Sequence, residues 1–371
     1  MEMRCCKFLF LTYLIVSCNH KVDYIESDEC HHIEIQFNKA TVDDSLHLSY
    51  LFSDVQYVLL ENTPDNKPIG VISDIKVINE YMYIHDSHMH RILHYDLSGK
   101  YLGQLSAQGR GPGEYLNINK FDVNPQTGEI SILDLYSKRV YVYYSTYKYK
   151  EYFSINNVPR DFTILANGNY LFFTPDYMKG AKYGLWMTDS QGNFINDILE
   201  IPSRFKYNGG LSERYFHRFG NTVYIYPSVY YDNIYHIKSD TLSVGSHLEV
   251  DIKIPKRVAN MNYCPLDEFA GQVYTIRMCY EVENWIIIEA YDMQTLVGVV
   301  YNKKTGKVFY YNSPDDIIND MPYSGQFITT TDNALIGVVY SDFMLDYPPL
   351  VEQYPDINED SNPIIAISYT K

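Results

Sequence analysis

Three short stretches hold residues whose types and spacing go beyond packing. His85, His88, His90 and His94 crowd into an H-x-x-H-x-H-x-x-x-H run, and clustered neutral imidazoles are able zinc ligands. His88 and His90 share a face only if their loop stays extended, and no carboxylate at a matching interval completes the set. They are read as solvated loop residues open to a ligand, with no metal or other cofactor assigned. Gly109-Arg-Gly-Pro-Gly-Glu114 combines three glycines that can take φ > 0 with a proline that fixes one turn. Such a loop either presents Arg110, Glu114 and the following Tyr115 to a ligand, or is a tight strand-to-strand crossover held by an Arg110–Glu114 pair. The acidic stretch Asp356–Asn362 offers oxygen ligands but lacks the Asp-x-Asp-x-Asp-Gly order of a calcium loop, and reads as solvated charge. There is no Gly-x-Ser-x-Gly elbow and no Cys-x-x-Cys spacing. Carboxylates are plentiful, but nothing singles out a glycosidase-like pair.

The elements that must position these residues are strands. Tyr contributes 38 of the 371 residues and Phe 17, and both favour a pleated, half-buried surface. Almost nowhere does a helical period hold for three turns. Short apolar runs alternate instead with turn residues, as in Tyr81–His85, Ile92–Tyr95, Ile130–Leu133 and Val140–Tyr144. Hairpin turns of the Asp/Asn-x-x-Gly kind recur at Asp96–Gly99, Asp189–Gly192 and Asn302–Gly306. One repeat is explicit. Tyr83-Ile-His-Asp86 followed by Arg91-Ile-Leu-His-Tyr95 matches Ser131-Ile-Leu-Asp134 followed by Arg139-Val-Tyr-Val-Tyr143, at a spacing of 48 residues. A four-stranded unit of that length is a propeller blade.

The register predicts an all-β fold, a six-bladed β-propeller of four-stranded antiparallel blades, with a pair of β-sandwiches as the competing architecture. Blades are expected over 71–106, 116–155, 159–201, 213–254 and 270–311, with a sixth from Gln326. The sixth shows only three strands, so Val55–Leu60 is expected to supply the fourth and close the ring by pairing with the C-terminal blade. Closure removes the open edges that invite aggregation.

Ahead of the propeller, Arg4 and Lys7 precede a short apolar run, Phe8–Val16, and then Ser17 and Cys18. A basic region, an apolar core and a small residue before the cut describe a signal peptide, and the run is short for a membrane span. Cys18 in that place resembles the lipidated cysteine of a bacterial lipobox. The expected organisation is therefore a signal peptide over 1–17, a polar tether and lead-in over 18–50, and the propeller over 51–371. With Cys5 and Cys6 removed in the signal and Cys18 taking lipid, Cys30, Cys264 and Cys279 are left, with either one Cys264–Cys279 bridge or three free thiols. A net charge of −16 argues against binding a phosphate backbone, so nucleic acid is not an expected partner.

Gln108-Gly-Arg-Gly-Pro-Gly-Glu-Tyr115, following Asp96-Leu-Ser-Gly-Lys-Tyr-Leu102, and the closing Asn362-Pro-Ile-Ile-Ala-Ile-Ser-Tyr369 resemble the six-bladed β-propeller lipoproteins of Bacteroidetes. The resemblance covers about residues 50–371. It implies the fold and a lipid-anchored place in the cell envelope, expected at the outer membrane, but no reaction.

If the first strand of each blade runs from top to bottom, the loops between second and third strands and the links between blades return to the top face. His88, His90, Arg110, Glu114, Tyr115, Arg160, Tyr177, Arg204, Tyr230 and Asp292 are the ligand-binding residues expected there, with the insertion 341–362 beside them. No catalytic residue is assigned. The expected function is a membrane-tethered binder of a glycan, peptide or protein partner. The alternatives are a lactonase-like or glycan-cleaving propeller enzyme working at the same channel mouth, and a purely structural scaffold.

Overall fold

Runs of apolar residues cut by Asp, Asn and Gly become strands throughout the computed structural model. It describes residues 25–36, 50–65, 67–174, 183–200, 214–220, 222–226, 233–238, 241–250, 275–291, 296–311, 317–318, 321–322, 327–345 and 348–371. The first two strands, β1 (Ile25–Ile35) and β2 (Phe52–Leu59), join blades built much later in the chain. Blade 1 is β3 (Ile72–Ile78), β4 (Tyr81–Asp86), β5 (Arg91–Asp96) and β6 (Tyr101–Leu105). Blade 2 is β7 (Lys120–Val123), β8 (Ile130–Asp134), β9 (Arg139–Tyr143) and β10 (Tyr149–Ser154). Blade 3 is β11 (Asp161–Ile164), β12 (Tyr170–Phe173), β13 (Tyr183–Thr188) and β14 (Phe194–Glu200).

Blade 4 comprises β15 (Phe216–Phe219), β16 (Thr222–Ile225), β17 (Asn233–Lys238) and β18 (Thr241–Val250). Blade 5 comprises β19 (Thr275–Glu281), β20 (Trp285–Tyr291), β21 (Leu296–Asn302) and β22 (Val308–Tyr311). After a two-rung ladder of β23 (Ile317–Ile318) and β24 (Met321–Pro322), blade 6 follows as β25 (Phe327–Thr330), β26 (Ala334–Val339) and β27 (Ile364–Thr370). Its fourth strand is β2, antiparallel to β27 with Tyr57 opposite Ala366 and Leu59 opposite Ile364. The six expected blades and the closing strand are therefore present.

Burial follows position in the blade. Second strands are buried on both faces, because each lies between two neighbouring blades; Ile130–Asp134, Tyr170–Phe173 and Ala334–Val339 have no exposed residue. This is why they read as continuous apolar runs. Outer strands such as Tyr149–Ser154 face solvent along most of their length. Apolar clusters fill the gaps between blades, for instance Phe162, Phe172 and Trp186 with Leu133 and Val140 between blades 2 and 3. The Phe172 and Trp186 rings stack at 4.4 Å. The predicted hairpin at Asp96–Gly99 forms as its chemistry dictates. Asp96 Oδ1 accepts the N–H of Ser98 and of Lys100, and Gly99 turns the chain at φ 87°.

Two features go beyond the expected outline. Part of the stretch read as a tether forms β1, a fifth strand on the outside of blade 4 that runs parallel to β18. The insertion in blade 6 carries two short helices, α1 (Ser341–Leu345) and α2 (Pro348–Gln353). Met344 and Ile357 from this insertion pack on Tyr57, Ile364 and Ala366, and the Tyr354 hydroxyl donates to the Tyr57 carbonyl at 2.6 Å. Cys279 is a buried free thiol; Cys264, like Cys18 and the signal segment, lies outside the described residues.

Candidate functional site

The first strands of the blades ring the central channel, and their alternation sends one set of side chains to the axis. From β3 come Asp74 and Lys76, from β7 Lys120 and Asp122, from β11 Asp161, and from blade 4 Arg214 and Arg218, while His217, off that alternation, packs against Tyr224 and Tyr280. Arg214 Nε lies 3.4 Å from Asp74 Oδ1, and its Nη2 donates to the Ser73 carbonyl at 2.6 Å. Lys76 Nζ stands 3.3 Å from the other Asp74 oxygen. Deeper in the ring, Asp122 Oδ2 receives Arg218 Nη2 at 2.7 Å, the Thr163 hydroxyl at 2.8 Å and the Ile164 N–H at 2.8 Å.

These contacts set the charge states. Burial alone would raise the Asp74 carboxyl, but Lys76, Lys120 and Arg214 outweigh it and hold it at about 2. Burial would likewise lower Lys76, yet Asp74, Asp161 and Asp122 raise it above its ordinary value. Lys120 goes the other way: burial lowers it despite Asp161 and Asp74 nearby. Among the described residues four axial cations, Lys76, Lys120, Arg214 and Arg218, therefore meet three carboxylates, Asp74, Asp122 and Asp161.

A concavity of about 340 Å³ opens at the top of the channel, lined by Ser73, Asp74, His85, Asn119, Lys120, Leu135 and Arg160. Arg160 is exposed at its rim, adding another positive charge. His85 is 6% exposed, with Nδ1 2.6 Å from the Ser73 hydroxyl and Nε2 lacking any hydrogen-bond partner. Burial, reinforced by Lys120 and His90 against the pull of Asp74 and Asp86, lowers this imidazole to about 4, so it is neutral.

Of the described residues among those expected on the top face, only Arg160 lines this concavity. His88 is exposed in the β4–β5 loop and packs close to Gly70. His90 turns the chain at φ 50°, and its carbonyl accepts the Tyr115 hydroxyl at 2.7 Å. Tyr115 is fully buried in the gap between blades 1 and 2, so the expectation of a surface tyrosine there is corrected: the ring is an anchor for the loop. Glu114 does not pair with Arg110; its carboxylate caps the Gly111 N–H at 2.7 Å inside the same loop. Arg110 projects into solvent. Tyr177, Arg204, Tyr230 and Asp292 lie outside the described residues.

The axial residues escaped sequence reading, which attended to loops. Their signal is nonetheless present: Asp74-Ile-Lys76 and Lys120-Phe-Asp122 place charges at alternate positions of inner strands, where only a polar channel can accommodate them.

Among solved structures, the chain is similar to a protein of Bacteroides fragilis NCTC 9343 that is named, by inference, as exported. The match has a TM-score of 0.73 at 19% identity and covers 92% of this chain and 99% of that one. A member of the DUF4221 family from Bacteroides vulgatus ATCC 8482 matches with a TM-score of 0.51 at 10% identity, over 86% and 97% of the two chains. No curated protein matches the sequence. Among the described residues no helix is long and apolar enough to cross a membrane. The family model for DUF4934, a domain of unknown function, matches residues 32–369, and the chain belongs to that family.

Proposed function

We propose that this chain is an exported, lipid-anchored envelope protein whose propeller binds a carboxylate-bearing ligand at the upper channel mouth, without catalysis. The observation that carries the binding reading is the concavity itself. A chain of net charge −16 places Lys120 and Arg160 together there, beside a buried His85 Nε2 with no hydrogen-bond partner. A buried polar atom left unsatisfied costs about 1–3 kcal/mol, and a ligand group or a water in the concavity relieves it. An anionic group fits the cations, and the low-dielectric walls strengthen the attraction. The anchor reading rests on the run from Arg4 to Cys18, and the similar Bacteroides fragilis protein named as exported supports export alone.

Titration calorimetry with acidic oligosaccharides and acidic peptides, against neutral counterparts, tests the binding site. Selective binding of acidic ligands, lost in Lys120→Met and Arg160→Ala, is the expected result; equal binding of neutral ligands unaffected by either substitution overturns it. Detergent phase partitioning of wild type against Cys18→Ala tests the anchor, and only the wild type should enter the detergent phase.

One contact favours hydrolysis instead. Ser73 Oγ and His85 Nδ1 are 2.6 Å apart on the wall of the concavity, the spacing of a nucleophile and its base. An imidazole lowered to about 4 is a weak base, and its Nε2 has no orienting carboxylate among the described residues. Binding is therefore preferred. Turnover of ester or lactone probes that disappears in Ser73→Ala would replace it with the enzymatic reading.

A further inference from the structure

Far from the channel, at the outer edge of blade 4, three adjacent strands bring nitrogen and sulfur donors into register. His32 of β1 lies directly opposite His247 of β18, and His247 lies directly opposite Asn233 of β17. These three residues thus form a row across the sheet. The His32 and His247 rings stack at 4.8 Å. Between Glu26 and His31 the β1–β18 register shifts, and this bulge brings Cys30 and Glu26 to the same two histidines. One donor atom from each of Glu26, Cys30, His32 and His247 lies within 4.8 Å of all the others.

We propose that Cys30, His32, His247 and Glu26 form a tetrahedral zinc site that staples β1 to the propeller. The donor set is one thiolate, two imidazoles and one carboxylate, the types zinc selects. Tetrahedral coordination at ordinary zinc bond lengths sets ligand atoms about 3.3–3.8 Å apart. His247 Nε2 and Glu26 Oε1 already stand at 3.1 Å. Glu26 and His32 are exposed and turn inward without disturbing the core.

A second, independent feature supports the site. Asn233 Oδ1 lies 2.7 Å from His247 Nδ1. With Asn233 Oδ1 accepting from Nδ1–H, Nε2 is the ring atom turned to the other three donors, and the proton it shares with Glu26 Oε1 leaves when zinc binds; this is the outer-shell arrangement that orients metal-binding histidines. The Cys30 sulfur also receives the His247 backbone N–H. Without a metal, burial and the neighbouring Glu26 charge raise its thiol above the usual range, with that N–H opposing them. Zinc supplies the positive charge that converts it to thiolate. The site is separate from the His88 and His90 loop and independent of the channel-mouth reading.

The test uses the purified full chain, stripped of metal and titrated with Co²⁺ and then Zn²⁺, with bound metal measured by mass spectrometry. The expected result is one tightly bound ion, intense tetrahedral d–d bands and a thiolate-to-cobalt charge-transfer band, displaced by zinc. Cys30→Ser abolishes the charge-transfer band, and Glu26→Gln, whose exposed side chain makes it a mild change, weakens binding. Asn233→Ala weakens zinc binding about 10- to 100-fold, while His88→Ala with His90→Ala leaves it unchanged. The proposal is overturned if no stoichiometric metal binds, if the cobalt spectrum is octahedral without a thiolate band, or if the band survives in Cys30→Ser.

Discussion

Arg91 and Asp86 face each other as register partners at the top of blade 1 and form an ion pair, Nε to Oδ2, at 3.0 Å, with Arg91 2% exposed and Asp86 fully buried. Their counterparts one repeat later, Asp134 and Arg139, are register partners too but have parted company. Asp134 accepts the N–H groups of Leu116, Tyr136 and Ser137. Arg139 lies over the Tyr152 ring at 4.1 Å. The sequence repeat therefore preserves a position, while only blade 1 uses it for a buried pair.

The two arginines should respond differently to truncation. Arg91→Met strands the Asp86 carboxylate and is expected to cost about 3–5 kcal/mol. Arg139→Ala forfeits a cation–π contact and should cost under about 1 kcal/mol. Urea denaturation of both variants against wild type measures the contrast, and equal losses would contradict it.

Acid stability should fall in two stages. His85 and His217 are lowered from 6.5 to about 4 and about 3, first by burial and then by nearby cations. Between pH 6.5 and about 4 the unfolded chain binds protons that the folded chain refuses, so stability drops as pH drops, by up to about 1.4 kcal/mol per pH unit per histidine. Asp74 and Glu281, both held at about 2 by cations and hydrogen bonds that outweigh burial, add their loss below about pH 4.5. His217 stacks on Tyr224 and meets Tyr280 edge-on, so His217→Phe keeps the packing. Denaturation curves at stepped pH should show its share of the first stage removed.

The Gly109–Tyr115 loop is expected to prove structural at Gly113 and free at Arg110. Gly113 has φ 79°, a Cβ there would lie 2.5 Å from the Tyr149 ring, and its carbonyl accepts the Tyr143 hydroxyl at 2.8 Å. Gly113→Ala should destabilise by about 1–3 kcal/mol. Arg110→Ala should stay within about 0.5 kcal/mol. Thermal melts of the two variants distinguish them.

Asn362 explains part of the closing motif. It is 2% exposed, accepts the Ile69 N–H at 2.9 Å and donates to the Glu61 carbonyl at 3.1 Å, joining the last blade to the link that leads into the first. Asn362→Ala leaves the Ile69 N–H unpaired, although the Glu61 carbonyl keeps the Tyr95 hydroxyl, and should cost about 1–3 kcal/mol. Limited proteolysis should then find new cleavage between residues 60 and 71.

What sequence reading captured, and what it missed, follows from how each element is buried. Second strands such as Tyr170–Phe173 are enclosed on both sides, so their apolar runs were plain, and hairpins like Asp96–Gly99 announced themselves by turn chemistry. Strand β1 did not, because it lies at a sheet edge: among its described side chains Ile33 and Ile35 are buried in the core and Cys30 packs against it, while Glu26, His32 and Glu34 face solvent. The Arg214–Asp74 pair was equally hidden, because it joins residues from blades 4 and 1 across the channel, and no local spacing records a contact across a ring. Sequence distance also concealed the row of His32, His247 and Asn233.

The pairing of Phe52–Leu59 with Ile364–Thr370 has a temporal side. The chain emerges from the ribosome N-terminus first, so β2 waits unpaired while every intervening blade is made. The ring latches only when Ile364–Thr370 arrive. Completion of the fold is thus an event of the whole chain, slowed by its long-range closure, and a nascent or truncated molecule presents β2 as an open edge that any other strand can take.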